Sequence, residues 1–167
     1  MSARTVACEA AQDSAAPSRR LHGTRAVLLA RVSRLLDDAS GLRPAEVLAI
    51  VCEATSAYLS LANVVFFERV AGRSRTLVWS APYATTPSRM VAREQAWTCA
   101  SRLLEGCPPF AGRYDDTQLA SASIVDDRLG LSAMLYVESL RKLDVDDRAL
   151  LDALLGRLVG APRGTEG

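Results

Sequence analysis

The feature that most constrains this chain is a change of period. Through "SGLRPAEVLAIVCEATSAYLSL" the apolar residues recur at helical spacing, with Val47, Leu48, Val51, Cys52, Thr55, Tyr58 and Leu59 on one face. The next residues, "ANVVFFERV" (Ala62 to Val70), are β-branched and aromatic, as strands are. "AGRS" then reads as a turn and "RTLVWSAPY" as a returning strand. A hairpin pairs antiparallel, so the chain builds an antiparallel sheet rather than a parallel α/β one.

The rest of the chain repeats the alternation. "TRAVLLARVSRLLDDAS" predicts a leading amphipathic helix over 23–40, with Thr24 as its N-cap and Gly41 as its stop. Leu28, Val32 and Leu35 follow a 4-3 seam spacing, which predicts a dimer seam with Arg25, Arg31 and Arg34 at its rim. Pro44 fits the first turn of the second helix. A middle helix starts at Pro87 and stops near Gly106, with Met90, Val91, Glu94, Trp97, Thr98, Ser101 and Leu104 on one side. "CPPFAGRYDD" is read as extended because consecutive prolines exclude helix. "ASASIV" and "LSAMLYVESL" form a second hairpin through "DDRLG". A last helix follows, capped by Asp144 and lined by Leu150, Leu151, Leu154, Leu155, Leu158 and Val159.

The fold class is therefore α+β. We expect an antiparallel sheet of about five or six strands, with the N- and C-terminal helices on one face and the middle helix over the other. Residues 23–161 form one domain, with its core over 44–161. Residues 1–22 and 162–167, which lack apolar periodicity, read as tails.

With 167 residues, 49% of them hydrophobic, the chain can bury a full core. Its net charge of +1 sets up no field for nucleic acid or an anionic membrane, so neither is an expected partner. Of 20 basic residues only Lys142 is a lysine, a bias that fits a GC-rich bacterial coding sequence. The start, "MSARTVACEAAQDSAAPSRR", has no apolar core of a secretory signal, and a reduced, cytoplasmic setting is expected. Cys8, Cys52, Cys99 and Cys107 are scattered and His22 is the only histidine, so no metal site and no cofactor is expected. The pairs Asp37-Asp38, Asp115-Asp116, Asp126-Asp127 and Asp146-Asp147 fall at turns and helix ends, where Asp caps backbone, and no catalytic residue is assigned.

The closing stretch, Gly130, "AMLYVES" and "DVDDRALLDALLGRLV", resembles the C-terminal signature of GAF domains. "EATSAYLSLANVVFF" is similar to that family's first helix and strand, and the resemblance runs from about Pro44 to Ala161. It implies a GAF/PAS-like sandwich acting as a non-enzymatic sensory or regulatory module in bacterial signalling. Such a module works through a small-molecule ligand, a homodimer or a protein partner. The segment "CPPFAGRYDDTQLASASIVDDRLG" is shorter than the family's usual lid and carries no cyclic-nucleotide motif, which implies a small ligand pocket or none. Trp79, Trp97, Met134 and Tyr136 are the candidate pocket lining. Two alternatives are a GAF scaffold for protein interaction and a free methionine-sulfoxide reductase using Cys99 and Cys107.

Overall fold

A computed structural model describes residues 23–105, 111–114 and 117–160. The tails, Cys8, His22, Gly106, Cys107 and the Asp115-Asp116 pair lie outside the described residues. The elements are α1 (Thr24–Asp37), α2 (Pro44–Leu59), β1 (Leu61–Val70), β2 (Arg73–Ser80), α3 (Thr86–Leu104), β3 (Ala111–Tyr114), β4 (Thr117–Asp126), β5 (Leu131–Ser139) and α4 (Val145–Gly160). Four long strands and the short β3 form an open antiparallel sheet in the order β2-β1-β5-β4-β3. α1, α2 and α4 cover one face and α3 the other.

Local chemistry sets the boundaries. Pro44 pushes Arg43 into the extended region, and the Arg43 N–H donates to Glu46 Oε2 at 2.7 Å, half of a capping box. Ser60 ends α2 in the left-handed conformation, and its carbonyl accepts from Leu140 N–H at 2.9 Å. The first hairpin is tighter than "AGRS": Val70 pairs with Arg73, leaving Ala71 and Gly72, both at positive φ, as the two-residue turn. α1 is capped by Gly23 rather than by Thr24, and no side chain caps it.

β1 is an interior strand covered on both faces, so its alternation sorts the core into two layers. Val64 and Phe66 join β5 residues Ala133, Leu135 and Val137 against α1, α2 and α4. Val65 and Phe67 join Met134 and Tyr136 against α3. The apolar faces read for α2 and α4 are the faces that pack.

The three-helix layer closes on Asp147, which is fully buried. Its carboxylate accepts from Arg141 at 2.7 and 3.2 Å, from Arg25 at 3.1 and 3.3 Å, and from Asp144 N–H at 3.0 Å. Asp147 N–H donates in return to Asp144 Oδ1 at 2.8 Å, a reciprocal cap that starts α4. Arg141 also donates to the Tyr58 carbonyl at 2.9 Å, and both guanidiniums lie over the Tyr58 ring. One carboxylate thus joins the start of α1, the end of α2 and the start of α4.

This clasp bears on the reading of α1. Val32 is fully buried in the domain's own core, which leaves it nothing to offer a twin, and the partly buried Leu28 packs against the same core. Arg25 is no rim charge, because it holds Asp144, Asp146 and Asp147. Leu35 is half-buried, and the large apolar residue of α1 turned outward is Val27. The 4-3 spacing fits a helix on a sheet as well as a helix on a helix, and the extra apolar positions Leu29 and Leu36 widen the stripe inward.

Two outcomes are expected. Val32→Ala costs about 2 kcal/mol in urea unfolding and leaves the association state unchanged. Asp147→Ala costs roughly 3 kcal/mol, because it strands two guanidiniums. The clasp also has a pH signature. Burial opposes ionisation of Asp147, but the hydrogen bonds from Arg141, Asp144 N–H and Arg25 outweigh it and hold the carboxyl below its ordinary 3.8. Its stabilising contribution is complete above that value and lost as pH falls through the lower folded value, a loss absent from the Asp147→Ala variant.

Candidate functional site beneath the middle helix

The sheet face under α3 carries more polar chemistry than a core needs. Asn63 and Glu138 stand opposite each other on β1 and β5, and Tyr136 is two residues before Glu138 on the same face. Asn63 and Tyr136 are fully buried and Glu138 is 8% exposed. Tyr136 OH donates to Glu138 Oε1 at 3.0 Å, and Asn63 Nδ2 donates to Glu138 Oε2 at 2.8 Å. Asn63 also donates to Ser88 Oγ on α3 at 3.0 Å and accepts from Ser80 Oγ on β2 at 2.7 Å. Thr85 Oγ1 accepts from Ser88 N–H at 3.3 Å and caps that turn of α3. Three strands and the helix start meet at one amide.

Apolar residues floor the rest of the face: Val65, Phe67, Leu119 and Met134. Above them, among the described side chains, α3 sets Ala92, Ala96 and Ala100 into the cluster, with Cys99 beside them. Small residues four apart let a helix approach a sheet that carries bulky side chains, since interior volume must be matched. The sequence groups Met90, Val91 and Trp97 on one side of α3, and the structure shows where that side faces. Met90, Val91 and Trp97 point outward, and the alanines between them point in. The i, i+4, i+8 spacing of Ala92, Ala96 and Ala100 is the sequence signal for the face that packs.

The four candidate lining residues divide in the same way. Met134 and Tyr136 lie together under α3, and Trp97 joins them at the edge, its ring 5.7 Å from Phe67 at 65°. Trp79 does not join them. It pairs with Val64 and packs on the α2 side, because a strand sends residues of opposite parity to opposite faces. The sequence reading missed Asn63 and Glu138, the polar centre of the cluster. The signal was present: an Asn and a Glu inside otherwise apolar strands, each opposite the other once the register is known.

The electrostatics follow from burial. Desolvation pushes the Glu138 carboxyl above its ordinary 4.5, although the hydrogen bonds from Asn63 and Tyr136 pull the other way. Burial, the Glu138 charge and hydrogen bond, and nearby Cys99 all push the Tyr136 phenol up. The site therefore presents a neutral phenol, an amide and a carboxyl that resists ionisation. Such groups can orient a polar ligand by hydrogen bonds above an apolar floor. On the opposite side of the sheet Cys52 is buried among apolar side chains, and its thiol is pushed up chiefly by burial, which makes it unreactive. Among the described residues, no group of three His, Cys, Asp or Glu side chains is placed to hold a metal ion, and no helix is long and apolar enough to cross a membrane.

The class defined by this geometry is an α+β sandwich whose single middle helix covers a polar cluster on an antiparallel sheet. No family model matches the chain, and no curated protein matches it. Among solved structures it is similar to an N-acylhomoserine lactone-dependent LuxR family transcription factor, CepR2 from Burkholderia cenocepacia. The TM-score is 0.52 at 14% identity, over 83% of this chain and 93% of that one. The likeness is one of fold.

Glu138 gives the site a measurable signature. A carboxyl raised in the folded state keeps its proton over a pH range in which the unfolded chain has lost it. Its contribution to stability therefore falls as pH rises from 4.5 towards the folded value, and is constant outside that window. Urea unfolding of the wild type and of Glu138→Gln across this range should diverge in that direction.

Proposed function

We propose that the chain is a non-enzymatic, GAF-like regulatory module that binds a small amphipathic molecule between α3 and the sheet. The observation that carries this reading is the Asn63–Tyr136–Glu138 cluster, buried under a helix that sets Ala92, Ala96 and Ala100 against the sheet. The polar head of a ligand would exchange hydrogen bonds with this cluster, and its apolar part would lie along Phe67 and Met134. The shared fold of a transcription factor that depends on an N-acylhomoserine lactone supports an acyl-bearing ligand. α3 would move to admit it, since replacing small contacts costs less than replacing large ones.

A second reading has its own support. Met134 and Tyr136 are fully buried and Asn63 already spends its donors and acceptor on neighbours, as a closed scaffold would require. One experiment separates the two. Protein purified from its native host is examined by native mass spectrometry, and recombinant protein is titrated with N-acylhomoserine lactones of graded acyl length while Trp97 fluorescence and thermal midpoint are followed. The sensory reading expects a retained small molecule or a saturable shift, weakened about tenfold in Glu138→Gln, the scale of one lost hydrogen bond. The scaffold reading expects neither.

A further inference from the structure

The outward face of α3 is unlike the outward face of the other helices. Met90 is 68% exposed and Trp97 44% exposed, and Val91 is exposed beside them. Met90 and Trp97 are seven residues apart, two helical turns, so they form one stripe. Between them on the same exposed side lie Arg93 and Glu94. Trp97 is anchored by its edge contact with Phe67, so its exposed part is held in place.

We propose that α3 is a self-association seam, in which two copies of this chain pair their α3 helices antiparallel about a two-fold axis beside Arg93 and Glu94. The inference does not depend on any ligand. The pattern complements itself under that operation and no other. Antiparallel pairing sets Arg93 against Glu94 of the second copy, twice. Met90 and Trp97 each lie three residues outward from this pair, so the same axis sets Met90 against Trp97 of the second copy, also twice, a sulfur–aromatic contact. Parallel pairing would put Arg93 on Arg93 and Glu94 on Glu94, which like charges oppose. A two-fold contact needs one patch that matches itself, and this patch does so in shape class and in charge. α1 offers no comparable face, because Arg25, Leu28 and Val32 are committed to the domain's own clasp and core. The seam lies on the helix whose other side covers the Asn63–Tyr136–Glu138 cluster, so any shift of α3 would reach the second copy.

The test is sedimentation velocity on the full chain, with circular dichroism melts to confirm folding. The wild type should be a dimer in the micromolar range. Arg93→Glu and Glu94→Arg should each weaken association about tenfold or more. The double variant Arg93→Glu/Glu94→Arg should restore it, because the pairs re-form with signs exchanged. Met90→Glu, at an exposed position that spares folding, should dissociate the dimer without lowering the melt. A wild type that stays monomeric at about 0.2 mM, where a Kd in the micromolar range predicts dimer, would overturn the proposal. Single variants that still associate, a double variant that fails to recover, or dissociation by Val27→Glu on α1 would each do the same.

Discussion

Asp147 is the constraint on which the helical layer depends. A carboxylate removed from water is costly unless its charge and lone pairs are met, and here two guanidiniums and a backbone N–H meet them. The donors come from both ends of the described chain: Arg25 from the start of α1, Arg141 from the loop before α4. Because Arg141 also bonds the Tyr58 carbonyl, the end of α2 is fixed by the same group. The three helices therefore cannot be placed independently. Aliphatic burial of Val32, Leu48, Leu151 and Leu154 supplies the bulk driving force, and the carboxylate supplies the relative position.

With that layer fixed, β1 decides everything on the other side. Its even residues are taken by the clasped layer, so Asn63, Val65 and Phe67 must face α3. β5 follows in register and brings Met134, Tyr136 and Glu138 beside them. The sheet face thus carries large side chains along most of its length and hydrogen-bonding groups at one end. Only a helix with small residues inward can close on such a face, and α3 does so with Ala92, Ala96 and Ala100. Met90, Val91 and much of Trp97 are left outside as a direct consequence. The polar cluster and the exposed Met90–Trp97 stripe are therefore two results of one packing decision.

A buried carboxyl that keeps a Tyr hydroxyl and an Asn amide for partners is costly to maintain in a core that could be wholly apolar. Natural interiors retain such groups where orientation matters, as in ligand recognition or in fixing one arrangement against others. Here the amide of Asn63 also reaches Ser88, so the start of α3 is tied to the sheet by polar bonds that a competing ligand or a change of protonation can alter. On the opposite side of the sheet the buried carboxylate, Asp147, is instead held ionised by two guanidiniums.

Much of the architecture was legible in the sequence because it rests on short-range causes. The switch of period at Leu61, the Pro44 and Asp144 helix starts, the Leu-rich face of α4 and the antiparallel hairpins all follow from spacing and backbone chemistry within a few residues. Two of the four lining residues, Met134 and Tyr136, could be grouped because they share a strand and a parity. The tertiary structure alone decided the rest. Trp79 went to the opposite face because the register of β2 on β1 set its parity, and register is a property of two strands. Val32 went inward because Arg25 found acids more than a hundred residues away. α3 turned its alanines to the sheet because Phe67, Met134 and Tyr136 already filled the space, a volume constraint that no single helix records in its own sequence.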